Sequence, residues 1–224
     1  MSNSHTAPVI AIDGPSASGK GTIAQRVALT LRFHYLESGA LYRAIAFVSL
    51  RERIDNENRL AGLAASVDVR FEGGRIFEQN HDITEDLRRE DVGNRASEIA
   101  RMPTVRKALL GRQRRFREPP GLVADGRDMG TVVFPDATLK VFLTASPEVR
   151  AERRYKQLKE KGINANLRAL SRDLQERDAR DASRPVAPLV PAPDSQVLDS
   201  TVLSIEEVAS RIVGWYLERT GGSR

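Results

Sequence analysis

Residues 9–31 constrain this chain more than any other stretch. An apolar run, Val9-Ile10-Ala11-Ile12-Asp13, leads into Gly14-Pro15-Ser16-Ala17-Ser18-Gly19-Lys20-Gly21-Thr22, after which apolar residues recur at Ile23, Ala24, Val27, Ala28 and Leu31. The run has the length of a buried strand and the recurrence has the helical period. Strand, glycine-rich loop and helix is the context in which such a loop binds phosphate. Glycines let successive backbone N–H groups converge on one anion, and the helix N-terminus adds the positive end of its dipole. Lys20 then reaches the outer phosphates of a nucleoside triphosphate. The strict pattern has Ser or Thr directly after the lysine, whereas here Gly21 comes before Thr22.

Four further strand candidates follow, each between helical patterns: Phe33-His34-Tyr35-Leu36 before Glu37, Leu122-Val123-Ala124 before Asp125, Leu139-Lys140-Val141-Phe142-Leu143 before Thr144, and Val197-Leu198 before Asp199. Strands alternating with helices predict an α/β fold, a parallel five-stranded sheet covered by helices. Ligands collect at the carboxyl ends of such strands, which here are Asp13, Glu37, Asp125, Thr144 and Asp199. Asp125, expected beside the phosphate loop, is a candidate partner for metal-bound water, and the Thr22 and Ser18 hydroxyls are candidates for phosphate or the same water. Val67-Asp68-Val69-Arg70-Phe71, then Glu72-Gly73-Gly74, then Arg75-Ile76-Phe77-Glu78 alternates about a turn and predicts an antiparallel hairpin. The hairpin interrupts the parallel pattern, so residues 60–101 are expected to form a small inserted unit, with 1–59 and 102–224 as the core. Residues 184–193 contain four prolines and predict an extended connector. Ser204-Ile205-Glu206-Glu207 is a capping box opening a final helix in which Val208, Ile212 and Trp215 pack inward.

Charge is informative through its chemistry. Lys and Arg total 35 against 30 Asp and Glu, and only 6 of the 35 are lysine. Arginine's planar fork grips phosphate through two parallel hydrogen bonds, which suits a protein handling several phosphates. Arg127 and Asp128 sit in the loop Gly126-Arg127-Asp128-Met129-Gly130-Thr131, where a substrate site belongs. Arg150, Arg153 and Arg154 share one helix face, as do Arg177, Arg180, Asp181 and Arg184 on the next helix. The two faces, joined by a break around Gly162, predict a helical lid at about residues 145–185 that closes over a triphosphate. Arg112, Arg114, Arg115 and Arg117 crowd too closely to share a face and read as mostly solvated. With no cysteine, the chain has no disulfide, thiol nucleophile or Cys-ligated metal. No apolar run is long enough to span a bilayer, and the polar start lacks a signal pattern, so a cytoplasmic location is expected.

Several blocks resemble bacterial cytidylate kinases. They are Ile12 to Thr22 as above, Leu36-Glu37-Ser38-Gly39-Ala40-Leu41-Tyr42-Arg43, Ala124-Asp125-Gly126-Arg127-Asp128-Met129-Gly130-Thr131-Val132-Val133-Phe134-Pro135, Glu176-Arg177-Asp178-Ala179-Arg180-Asp181 with Arg184, Val186-Ala187-Pro188-Leu189-Val190-Pro191, and Leu198-Asp199-Ser200-Thr201. The order is kept from about Val9 to Val213. Lys20-Gly21-Thr22 is what nucleoside monophosphate kinases show, while Glu37 stands where the family usually has Asp. The resemblance implies transfer of the γ-phosphoryl group of ATP to CMP or dCMP with Mg²⁺, a substrate-binding insertion and an arginine-bearing lid. It also assigns residues. Gly14, Pro15, Ser16, Ala17, Ser18, Gly19, Lys20, Gly21 and Thr22 bind ATP. Ser38, Arg43, Arg127 and Arg184 hold the acceptor phosphate, Ser97, Arg106 and Asp128 read cytosine, and Arg177 and Asp181 contact ribose. Lys20, Arg127, Arg154 and Arg184 carry the transfer. No residue is expected to ligate the metal directly; Asp125 and Thr22 are candidates to meet it through water. The expected partners are these nucleotides, in a monomer that binds neither nucleic acid nor membrane. A kinase for another monophosphate such as UMP is the neighbouring alternative. A nucleic-acid-binding ATPase would need stacking aromatics among its basic residues, and aromatics are 5% of this chain. A nucleotide-binding module without catalysis would not need a second arginine-rich site.

Overall fold

The apolar run after Pro8 forms β1 (Val9–Asp13), with every residue buried. That explains its lack of alternation, because a strand covered on both faces carries apolar side chains on each. In chain order there follow α1 (Lys20–Leu31), β2 (His34–Glu37), α2 (Ser38–Glu52), α3 (Glu57–Ser66), β3 (Val69–Glu72), β4 (Arg75–Glu78), β5 (His81–Asp82), a 3₁₀ turn at Asp86–Arg88, α4 (Glu90–Ile99) and α5 (Pro103–Arg114). The chain continues through β6 (Leu122–Gly126), a π-helical turn at Met129–Val133, β7 (Leu139–Thr144), α6 (Pro147–Glu160), α7 (Leu167–Ala182), β8 (Gln196–Asp199) and α8 (Ile205–Thr220). This is a computed structural model describing residues 6–72, 75–160, 162 and 164–222; the polar start Met1 to His5 and the Gly73-Gly74 turn lie outside them.

The five expected strands form one sheet in the order β2-β6-β1-β7-β8. β1 pairs in parallel with β6 on one side (Ile12 opposite Asp125) and with β7 on the other (Ile12 opposite Val141), and β8 extends β7 in parallel. The loop after β1 therefore leaves from the centre of the sheet's carboxyl edge, where open α/β sheets bind their ligands. Ile23, Ala24, Val27 and Ala28 of α1 pack with Val208, Ala209, Ile212 and Tyr216 of α8 over Ile10, Ile12, Val123, Val141 and Leu143. The α8 capping box is complete: Ser204 Oγ accepts from Glu207 N–H, and the Glu207 carboxylate accepts from Ser204 N–H. Trp215 packs half-buried against this core.

The chain divides into two compact units, residues 1–36 with 116–224, and Glu37–Arg115. The expected inserted segment, 60–101, lies within the second. There β3 and β4 pair antiparallel, Phe71 opposite Ile76, and a short third strand, β5, adds to β4. Helix α3, capped by Asn56 Oδ1 on the Asn58 and Arg59 N–H groups, packs on α5, while α2 packs on α4. Among the described residues no helix is long and apolar enough to cross a membrane.

Candidate active site

The loop after β1 is shaped by close approach and by two left-handed residues. A Cβ on Gly14 would stand 2.0 Å from the Leu143 carbonyl oxygen of β7, so only glycine lets the chain leave the sheet here. Ala17 (φ 58°) and Gly19 (φ 90°) adopt left-handed conformations that curl the loop back to α1. Gly19 caps α1 without a side-chain hydrogen bond, and no acidic residue sits in the first turn. The N–H groups there keep their full positive character for an anion. Lys20 folds over the loop, its Nζ donating to Pro15 O at 3.1 Å. Burial, then the charge of Arg127, pushes its pKa down to about 7 against the pull of Asp125. Thr22 is exposed in the first turn. Ser18 Oγ is buried without a hydrogen-bond partner.

Two carboxylates close the bottom of the site. Asp125, 4% exposed at the end of β6, accepts a hydrogen bond from the Tyr35 hydroxyl at 2.8 Å. Burial raises its pKa, opposed by Lys20, by the Tyr35 bond and by Arg127. Asp13, ending β1, accepts from the N–H groups of Met129 and Gly130, both at 2.8 Å. Asp13 thereby fixes the start of the π-helical turn that follows Arg127 and Asp128. Asp128 itself is buried, and its carbonyl accepts from the Val132 and Val133 N–H groups.

Arginines converge on this edge, but not all on the same task. Arg127 Nη2 donates to Ser16 Oγ of the phosphate loop at 2.7 Å and its Nε to Asp181 Oδ2 at 2.8 Å. Arg184 donates to the other Asp181 oxygen. Asp181 is 1% exposed; burial alone would raise its pKa, but Arg127, Arg184 and Arg177 outweigh burial and hold it below the ordinary carboxylate value. The structure thus brings Lys20, Asp125, Arg127, Arg177, Asp181 and Arg184 into one charged cluster. Arg150 and Arg153 correct the sequence expectation. Both lie on one face of α6, yet they hold the phosphate loop by its carbonyls, Arg150 on Ser16 O at 3.2 Å and Arg153 on Ser18 O at 3.1 Å. Arg150 also donates to Ala145 O and to Asp178 Oδ2, and Arg153 to Ser200. Arg154, further round the helix, is half-buried and donates to Gln157 Oε1 at 2.6 Å.

The second unit carries its own set. Ser38 Oγ, buried at the start of α2, accepts from Gln113 Nε2 at 2.8 Å, a partner that sequence spacing did not single out. Arg43 donates to Leu87 O at 2.6 Å, beside Gly93, where a Cβ would approach its guanidinium to 3.2 Å. Ser97 is buried on α4, and Arg106, buried on α5, donates to Ala100 O at 3.3 Å. The arginine run after it is less solvated than its crowding suggested. Arg112 donates to Val67 O and Val69 O, and Arg117 to Ala7 O and Asp136; only Arg114 and Arg115 are exposed. A guanidinium finds carbonyl partners that sequence spacing does not reveal. Tyr35 was read only as part of a strand, since its partner lies 90 residues away in sequence.

Comparison with known proteins shows the family. The pattern of the cytidylate kinase family matches residues 10–217. A curated cytidylate kinase of Ralstonia nicotianae is 57% identical over 216 residues, 96% of this chain and 94% of that protein. One from Bordetella bronchiseptica is 58% identical over 212 residues, 94% and 95% of the two chains, and one from Chromobacterium violaceum is 54% identical over 96% and 97%.

Proposed function

The chain belongs to the cytidylate kinase family and is an ATP-dependent phosphotransferase, and from that premise we propose that it moves the γ-phosphoryl group of ATP to CMP or dCMP, giving ADP with CDP or dCDP. The observation that carries this reading is the Arg127 guanidinium, bound at once to Ser16 of the phosphate loop and to Asp181. One cation with a fixed orientation thus serves the ends of two anions that must meet.

The acceptor is a phosphate oxygen, whose second ionisation lies near about pH 6 and is mostly complete at neutrality. No protein base is needed, and the reaction reduces to holding two anions in line and stabilising the charge spread over the moving group. Lys20 and the backbone N–H groups of residues 14 and 16–22 hold the donor. Asp181 fixes Arg127 and Arg184 so that their donors need no reorganisation as charge develops, which is where electrostatic catalysis gains most. Arg154 is assigned to the transferred group, and Ser38, Arg43, Arg127 and Arg184 to the acceptor phosphate. Arg177 and Asp181 take the ribose. Asp128 is the acceptor for the cytosine amino group, and Ser97 and Arg106 serve the ring acceptors. Uracil would set its O4 acceptor against the carboxylate, an unpaired arrangement that discriminates strongly.

Magnesium bound with ATP supplies charge neutralisation and orientation of the phosphate oxygens. Among the described residues no three acidic or histidine side chains are grouped to cage a metal. A single buried carboxylate with neighbouring hydroxyls is the donor set that Mg²⁺ takes when substrate phosphates provide the rest. Asp125 and the exposed Thr22 hydroxyl would hold its water, and the unpartnered Ser18 Oγ fits the same duty or a phosphate oxygen. The reading includes a cytoplasmic monomer, checked by sedimentation of the purified chain and by cell fractionation. A panel of CMP, dCMP, UMP and AMP with ATP, read as ADP formation, tests the whole. CMP and dCMP are expected to lead, and a stronger response to another monophosphate overturns the assignment.

A further inference from the structure

Gly21 is the second residue of α1, in the first turn of a helix whose start faces the phosphate loop. A Cβ on Gly21 would lie 3.3 Å from Asp125 Oδ2, close enough that the carboxylate would have to give slightly, and 3.7 Å from the Tyr35 hydroxyl, an ordinary contact. In the strict phosphate-loop pattern this position is Ser or Thr, whose hydroxyl serves the metal beside a strand-end carboxylate. Here the space is left to the Tyr35 hydroxyl, which arrives from β2 and donates to Asp125 Oδ2 at 2.8 Å. Tyr35 is half-buried against the core beneath the sheet's edge, so its ring has little freedom to leave that bond.

We propose that Tyr35 is a positioning residue for the metal-bound nucleotide: its hydroxyl, beside the space that Gly21 leaves open, orients the Asp125 carboxylate. The proposal rests on the reading of Asp125 as a holder of metal-bound water. A partner that orients a directly bound ligand typically controls metal affinity by about 10–100-fold; acting through a water-bridged carboxylate, Tyr35 is placed at the low end, about tenfold.

The test is titration calorimetry of the full chain with ATP, with and without Mg²⁺, beside CMP-dependent ADP formation and the melting temperature of each variant. Wild-type protein that does not phosphorylate CMP removes the functional reading, whatever Tyr35 does. With that activity present, Tyr35→Phe is expected to bind metal-free ATP as the wild type does and to bind Mg²⁺–ATP about tenfold more weakly. On an Asp125→Asn background, Tyr35→Phe is expected to add nothing. A Tyr35→Phe protein with wild-type Mg²⁺–ATP affinity overturns the proposal. So does one weakened equally with and without metal, or one that still loses tenfold on the Asp125→Asn background. The double variant Gly21→Ser, Tyr35→Phe returns a hydroxyl to the carboxylate and is expected to recover most of the loss. It also serves if Tyr35→Phe alone unfolds, and a folded double variant without recovery counts against the proposal.

Discussion

Asp13 shows how one residue joins fold and site. Its two oxygens take the Met129 and Gly130 N–H groups, so the end of β1 holds the turn that presents Arg127 and Asp128. Burial pushes its pKa up to about 7 from 3.8, against those two hydrogen bonds. Between these values the folded chain keeps a proton that the unfolded chain has released. The group's contribution to stability is therefore present in full below about pH 4 and is lost as the pH rises to about 7, at up to about 1.4 kcal/mol per pH unit. Asp13→Asn cannot titrate, and it leaves one of two buried N–H groups without its acceptor, a cost of about 1–3 kcal/mol. Melting curves from about pH 5 to about pH 8 are expected to show the variant less stable at the acid end, with the gap narrowing toward neutrality. A gap that stays constant or widens contradicts the assignment. The sequence marked Asp13 as a strand-end carboxylate, but its partners lie 116 and 117 residues away and could only appear in the fold. Lys20 could be singled out in the sequence because the phosphate-loop pattern depends on local spacing alone. Lys20→Ala is expected to lower CMP-dependent ADP formation by at least about 100-fold, the loss that follows removal of a charge-stabilising donor. Near-normal turnover would remove Lys20 from the donor site.

At the scale of elements, helix periodicity showed which arginines share a face of α6 but not what that face covers. A guanidinium fits a carbonyl as readily as a phosphate, and Arg150 and Arg153 fall on loop carbonyls because α6 starts beside the loop. The two kinds of arginine are therefore expected to fail differently. Arg150→Ala removes the donor to Ser16 O and Ala145 O and strands Asp178, the other half of a largely buried ion pair. Breaking such a pair costs about 3–5 kcal/mol, and denaturant unfolding is expected to show most of it, together with weaker ATP binding from a slack loop. Arg154→Ala, at a half-buried position, is expected to cost less in unfolding than Arg150→Ala and to lower kcat by about 100-fold. An Arg154→Ala enzyme with normal kcat takes that residue out of the transfer.

Across the whole molecule, the five strands and their carboxyl ends were readable because each is a short, largely apolar run closed by a polar residue. Their order, β2-β6-β1-β7-β8, appears only in the fold. The hairpin at β3 and β4 was readable because its period changes from helical to alternating. The extent of the second compact unit was not, since α2 and α5 join it through packing on α4 and α3, and their own periodicity looks like that of any core helix. The lid is a matter for the molecule as a whole. Its α7 is anchored at the C-terminal end, where Asp178 meets Arg150 and Asp181 meets Arg127 and Arg184, while Leu167, Arg168, Arg172 and Asp173 toward the start are exposed. Leu170 and Leu174 of the same half are buried, so we propose that the α6–α7 pair swings as one body over a triphosphate. Closure over both nucleotides would exclude water from the γ-phosphoryl group, the competing acceptor at far higher concentration. ATP alone should then be hydrolysed at a small fraction of the rate at which it is consumed with CMP, on the order of 1% or less. Steady-state ADP release measured with and without CMP decides the matter: comparable rates would mean that the lid does not govern access of water to the transferred group.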